Sequence, residues 1–114
     1  MKCLILLAFA SAALHAHAGD MDAIIVSAKL APGAMHEECL HLDAGRSRPY
    51  SWKSDAPVDF NVHYHRGPDV FFPVKRDGAL SDAGTFTAKT GEDYCWMWTA
   101  AKAPAKIEGR IAPE

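Results

Sequence analysis

The chain has 114 residues, a net charge of −2 from 12 Lys and Arg against 14 Asp and Glu, and 49% hydrophobic side chains. That is the size of a single domain with a modest core, and its faintly acidic balance, with no basic stripe, argues against nucleic acid or an anionic membrane surface as a partner. Three cysteines are available as a further constraint, and their meaning depends on the compartment.

Met1 to Ala18 reads as a secretory signal peptide, because Lys2 precedes an apolar run from Leu4 to Leu14 and the stretch closes on Ala16-His17-Ala18, a small-x-small cleavage pattern. Cleavage is expected before Gly19. The apolar run is shorter than the roughly 20 residues a spanning helix needs, so an exported, periplasmic or secreted product is expected. Cys3 leaves with the signal. Cys39 and Cys95 stay, and in an oxidising compartment they permit one intramolecular bridge, stabilising by roughly 4 kcal/mol in the chain-entropy model. The alternatives are two free thiols or a zinc site that uses both.

From residue 23 onward the pattern is of strands. Ile24, Val26, Ala28 and Leu30 alternate with Ile25, Ser27 and Lys29 until Ala31-Pro32-Gly33 breaks the run. His36 to Asp43 follows, with Leu40 and Leu42 on one side and Cys39 and His41 on the other. After Ala44-Gly45-Arg46, a strand from Ser47 to Lys53 carries Tyr50 and Trp52, and Ser54-Asp55-Ala56-Pro57 has turn chemistry. Val58 to His65 is the clearest period-two segment: Val58, Phe60, Val62 and Tyr64 face one way, Asp59, Asn61, His63 and His65 the other. Arg66-Gly67-Pro68-Asp69 is a strong turn signal. Val70 to Lys75 holds Pro73, which confines it to an edge or a bulge, and Arg76 to Gly84, rich in Asp, Gly and Ser, is expected to be a mobile loop. Gly84 to Lys89, the aromatic segment Asp93 to Thr99, and Ala105 to Ala112 complete the set. About eight short strands at this spacing, with no helical period, predict an antiparallel β-sandwich in one domain, residues 19–114.

Glu38-Cys39-Leu40, the block from Asp55 to His65, Gly84-Thr85-Phe86 and Tyr94-Cys95-Trp96, taken in that order, resemble the GOLD domain, the lumenal β-sandwich of the emp24/gp25L/p24-like family. The resemblance runs from Cys39 to about Ile111 and implies a sandwich, a Cys39–Cys95 bridge and a role in binding proteins or lipids. The coiled coil, membrane helix and cytoplasmic tail of the eukaryotic proteins have no counterpart here, so their trafficking role is not implied. The chain looks like a stand-alone bacterial version.

Disulfide Cα atoms lie about 4.4 to 6.8 Å apart whereas facing sheets sit near 10 Å apart, so a bridge between neighbouring strands is the simpler geometry. Cys39 and Cys95 then share a face with His41 and Met97, and His63 and His65 join them if their strand lies in the same sheet. His41, His63, His65 and Met97 thus make a conditional donor set suited to copper. The plainer reading is a solvated polar face with surface histidines. Trp52, Trp96 and Trp98 are candidates to line a ligand cleft, or else to fill the core.

A Gly-x-Ser-x-Gly elbow, a phosphate loop and a His-Glu-x-x-His motif are all missing, and Glu37-Glu38 points to opposite strand faces, so no enzyme is expected. The leading expectation is an exported binding module of GOLD-like type for a protein or lipid-like ligand, without a cofactor. Two others stand beside it: a periplasmic copper-binding protein, and an envelope assembly component docking through the Pro73 edge strand.

Overall fold

The computed structural model describes residues 23–114. The expected signal peptide and its cleavage point lie outside those residues. Within them the chain forms six strands, β1 (Ile24–Leu30), β2 (Met35–Leu42), β3 (Ser47–Arg66), β4 (Asp69–Thr87), β5 (Glu92–Thr99) and β6 (Ala105–Ile111), all pairing antiparallel. They belong to one hydrogen-bonded sheet in the order β1-β6-β3-β5-β2, with β4 also paired to β3. Among the described residues no helix is long and apolar enough to cross a membrane.

The all-antiparallel class is as expected, but the strand count is six rather than eight. Segments expected to be separate are joined: Ser47–Lys53 runs on into Val58–His65 within β3, and Val70–Lys75 runs on through Arg76–Gly84 within β4, so the expected mobile loop is strand. The turn-forming residues are present, yet they serve bulges. Lys53 pairs with Ser81 and Val58 with Ala79, so Ser54–Pro57 is extra chain on β3, tied locally by Ser54 Oγ donating to the Ala56 carbonyl at 2.7 Å. On the facing strand Gly78 adopts φ 62°, and its N–H donates to Asp59 Oδ1 at 2.9 Å. A further shift between Val62 and Tyr64 accommodates Pro73, which sits both at a bulge and on a strand paired on one side only.

These irregularities bend the long β3–β4 hairpin and curl the sheet. The first part of β3 pairs with β6 (Tyr50 opposite Ile111, Ser54 opposite Ile107), and the second with β5 (Asp59 opposite Thr99, His63 opposite Cys95). The curl brings the apolar faces of the two parts together. Trp52 from the first part lies 5.1 Å from Phe60 in the second and 6.4 Å, edge-on, from Trp98 of β5, while Phe86 of β4 meets Tyr94 and Trp96 at 4.9 and 5.7 Å. Val26, Val58, Val62, Ile107 and Ile111 are at most 1% exposed around these rings. Burying each such side chain stabilises the fold by about 1.5–3 kcal/mol. Gly109 is required where β6 crosses Trp52, since a Cβ there would meet Trp52 Cβ at 2.6 Å and the Ser51 carbonyl oxygen at 2.7 Å.

Candidate binding cleft and histidine face

The three tryptophans are core side chains. Trp52, Trp96 and Trp98 are 4%, 0% and 1% exposed, so of the two roles expected for them they take the core-filling one. Period two turns each one inward on its strand, and in a chain this short the largest rings are needed to fill the core. None of their indole N–H groups meets a hydrogen-bond acceptor, a desolvation cost that burial of the rings offsets.

On the opposite face of the β3–β5–β2 region the polar side chains collect. Cys39 and Cys95 are directly opposed on β2 and β5 and form the disulfide, with Cα atoms 4.0 Å apart. His63 is opposite Cys95 on the other side of β5, so His63, His65, His41 and Met97 share the disulfide's face, as the neighbouring-strand geometry predicts. They do not converge on one point. His41 lies out on β2, its Nδ1 2.9 Å from Asp93 and its Nε2 3.1 Å from Asp43. Those contacts, Asp93 before Asp43, raise its pKa above the ordinary 6.5. His63 and His65 are closer, with ring centroids 5.2 Å apart and edge-on.

Among the described histidines His63 differs in being buried, 5% exposed, although it is on the face expected to be wet. Phe72 of β4 covers it with ring centroids 5.9 Å apart, Asn61 Oδ1 is 2.7 Å from its Nδ1, and Glu37 Oε1 is 3.8 Å from its Nε2. Burial pushes its pKa below 6.5 despite the opposing charge of Glu37. Glu37 and Asn61 were not among the expected site residues. Glu37 is two residues before Cys39 and Asn61 two before His63, so the parity that selected the histidines also selects them.

A second feature lies along β4. Between its two parts, where the strand bends, opens a cleft of about 610 Å³. Phe71, Phe72 and Pro73 line it from one part and Gly84 to Thr87 from the other, with Tyr50 and Tyr64 of β3, Tyr94 of β5, and Lys89 beyond the end of β4. The Tyr50 hydroxyl donates to Asp82 Oδ2 at 2.9 Å, and burial together with that bond pushes its pKa up to about 12; the Tyr94 hydroxyl donates to the Thr90 carbonyl at 2.6 Å. Tyr64 and Phe71 stack with centroids 5.1 Å apart. The Arg66 guanidinium, paired with Glu92, lies over both rings. At the cleft, Val70, Phe71 and Phe72 are 40 to 50% exposed, on a strand that is paired along one edge only. Large apolar side chains gathered on an open edge mark an interaction surface more than a monomer's ordinary exterior. The sequence carried this signal in the Val70-Phe71-Phe72-Pro73 run, where Pro73 indicated an edge.

No family model and no curated protein sequence matches the chain. Among solved structures it is similar to the crystal structure of Aeromonas hydrophila PliG, a periplasmic lysozyme inhibitor of g-type lysozyme. The likeness covers 78% of this chain and 85% of that one, with a TM-score of 0.52 and 13% sequence identity, which makes it a likeness of fold.

Proposed function

We propose that this chain is an exported, non-enzymatic module that binds a protein partner through the β4 edge and its cleft, and that the partner is a lysozyme-type cell-wall hydrolase. The observation that carries the reading is the exposed Val70-Phe71-Phe72 run on an unpaired edge beside a 610 Å³ cleft. An open strand edge offers main-chain donors and acceptors together with alternating side-chain anchors, a combination that suits a polypeptide better than a lipid chain. The fold likeness to a lysozyme inhibitor supports the partner class, and the signal-peptide reading supports the periplasm as the compartment. Arg76 and Lys89 bring positive charge to the cleft, suited to a glycoside hydrolase whose groove holds a carboxylate pair. In this reading the curl forms a sandwich, with β1–β6 and β5–β2 as facing layers over the shared β3–β4 hairpin. The GOLD-like motifs then describe a shared sandwich and bridge, without the family's trafficking role.

The test is to add the exported, disulfide-intact protein to lysozymes of different types acting on cell-wall substrate. Stoichiometric inhibition of at least one type, with a complex recovered by gel filtration, is the expected result. Full activity of every lysozyme tested and no complex would overturn the partner class, and co-purified lipid in the cleft would overturn the choice of a protein ligand.

A further inference from the structure

The His63 face holds a group of donors that the protein-binding reading does not use. Glu37 Oε1, His63 Nε2 and Cys95 Sγ lie within 4.8 Å of one another. Cys95 is oxidised in the disulfide and offers no thiolate, so the cluster's usable donors are an imidazole and a carboxylate. Their separation is informative. At 3.8 Å, His63 Nε2 and Glu37 Oε1 are too far apart for a hydrogen bond, yet within the span of about 4.2 Å that two ligands on one zinc-sized ion can reach.

The rest of the His63 environment fits a ligand. Asn61 Oδ1, 2.7 Å from Nδ1, accepts a hydrogen bond from Nδ1–H, which leaves Nε2 with its lone pair directed toward Glu37, the arrangement that outer partners impose on metal-bound imidazoles. The side chain is 6% exposed, walled on one side by Phe72, so its orientation is held before any ion arrives. His65, two residues on and on the same face, is exposed, with its ring centroid 5.2 Å from that of His63. Rotation of its side chain can add a second imidazole. His41 is excluded, since both of its nitrogens are engaged by Asp93 and Asp43 farther out on the sheet.

We propose that Glu37, His63 and His65 form a binding site for a divalent transition-metal ion of the zinc or copper(II) class, with water completing its coordination. Two imidazoles and a carboxylate suit these ions and disfavour magnesium and calcium, which take oxygen donors. The site lies on the disulfide face and stands whether or not the partner is a lysozyme.

Calorimetric titration of the exported, disulfide-intact protein with ZnCl2, and separately with CuSO4, tests it, with MgCl2 as the control. Saturable binding near one ion per chain is expected for zinc or copper and none for magnesium. Glu37→Gln and His65→Ala, at exposed positions where folding is checked by circular dichroism, are each expected to weaken that affinity by at least about tenfold. His41→Ala is expected to leave it unchanged. No saturable binding by the wild type, unchanged affinity in either the Glu37 or the His65 variant, or a loss that follows His41 instead would overturn the proposal.

Discussion

The two faces of the β3 segment from Val58 to His65 were equally clear as a pattern, and they became different kinds of surface. Val58, Phe60 and Val62 point inward and are at most 1% exposed, as alternation requires. Asn61 and His63 point outward, yet they are buried too, at 8% and 5%. Alternation states which way a side chain leaves the strand, whereas coverage depends on what the neighbouring strands bring. Here β4 contributes Phe72 and β2 contributes Glu37, so part of the outer face becomes a second, polar interior. At its ends, with His65 and His41, the same face is open to water.

The sharpest way to break this comparison is to truncate one residue of each kind. Phe60→Ala removes a ring packed against Tyr50, Trp52 and Trp98, and should lower stability by about 3–5 kcal/mol in urea denaturation, whereas His65→Ala should stay within about 0.5 kcal/mol. Comparable losses from both would mean that the two faces are not distinct. Replacing Cys39 and Cys95 together by Ser opens a bridge between residues 56 apart, and should lower the unfolding free energy by about 4 kcal/mol, read from the same denaturation midpoints. Gly109→Ala forces a methyl against Trp52 and should lose about 1–3 kcal/mol, visible as a drop in Tm.

The smallest effect is a pH dependence, measured with a chelator present. His63 has a folded pKa below its unfolded value of 6.5, so its neutral form is favoured in the fold. Its contribution is complete above 6.5 and is lost as pH falls from there through the folded value. His41, raised above 6.5, acts in the opposite sense: its stabilisation is present below 6.5 and is lost as pH rises through its folded pKa, but the side chain is exposed and the effect small. The expected outcome is that His63→Gln loses less stability than the wild type on acidification below 6.5. An identical slope in both would show that burial of His63 carries no such linkage.

Much of this was legible in the sequence. The Cys39–Cys95 bridge followed from two cysteines left in an exported domain, the strand faces from period two, and the common face of His41, His63, His65 and Met97 from the spacing of sheets, on the condition that their strands lie in one sheet. The strand count did not, because Pro57, Pro73 and Gly78 are the same residues whether they end a strand or bulge it, and only the partner's register separates the two. The tryptophans were ambiguous for a related reason, since an inward strand face and a cleft wall have one pattern. Glu37 was judged only beside Glu38, along its own strand. Its meeting with His63 spans β2, β5 and β3, and depends on a register that no local pattern contains.

The most direct test of the central claim is surface plasmon resonance of a lysozyme that the wild type inhibits, comparing the wild type with Phe71→Ser/Phe72→Ser. These side chains are 40% and 50% exposed but also cover His63 and stack on Tyr64, so a modest drop in Tm with the fold retained is expected, together with an affinity reduced at least about tenfold, the scale of one or two aromatic anchors. Wild-type affinity in the double variant would place the binding surface elsewhere and contradict the assignment of the β4 edge.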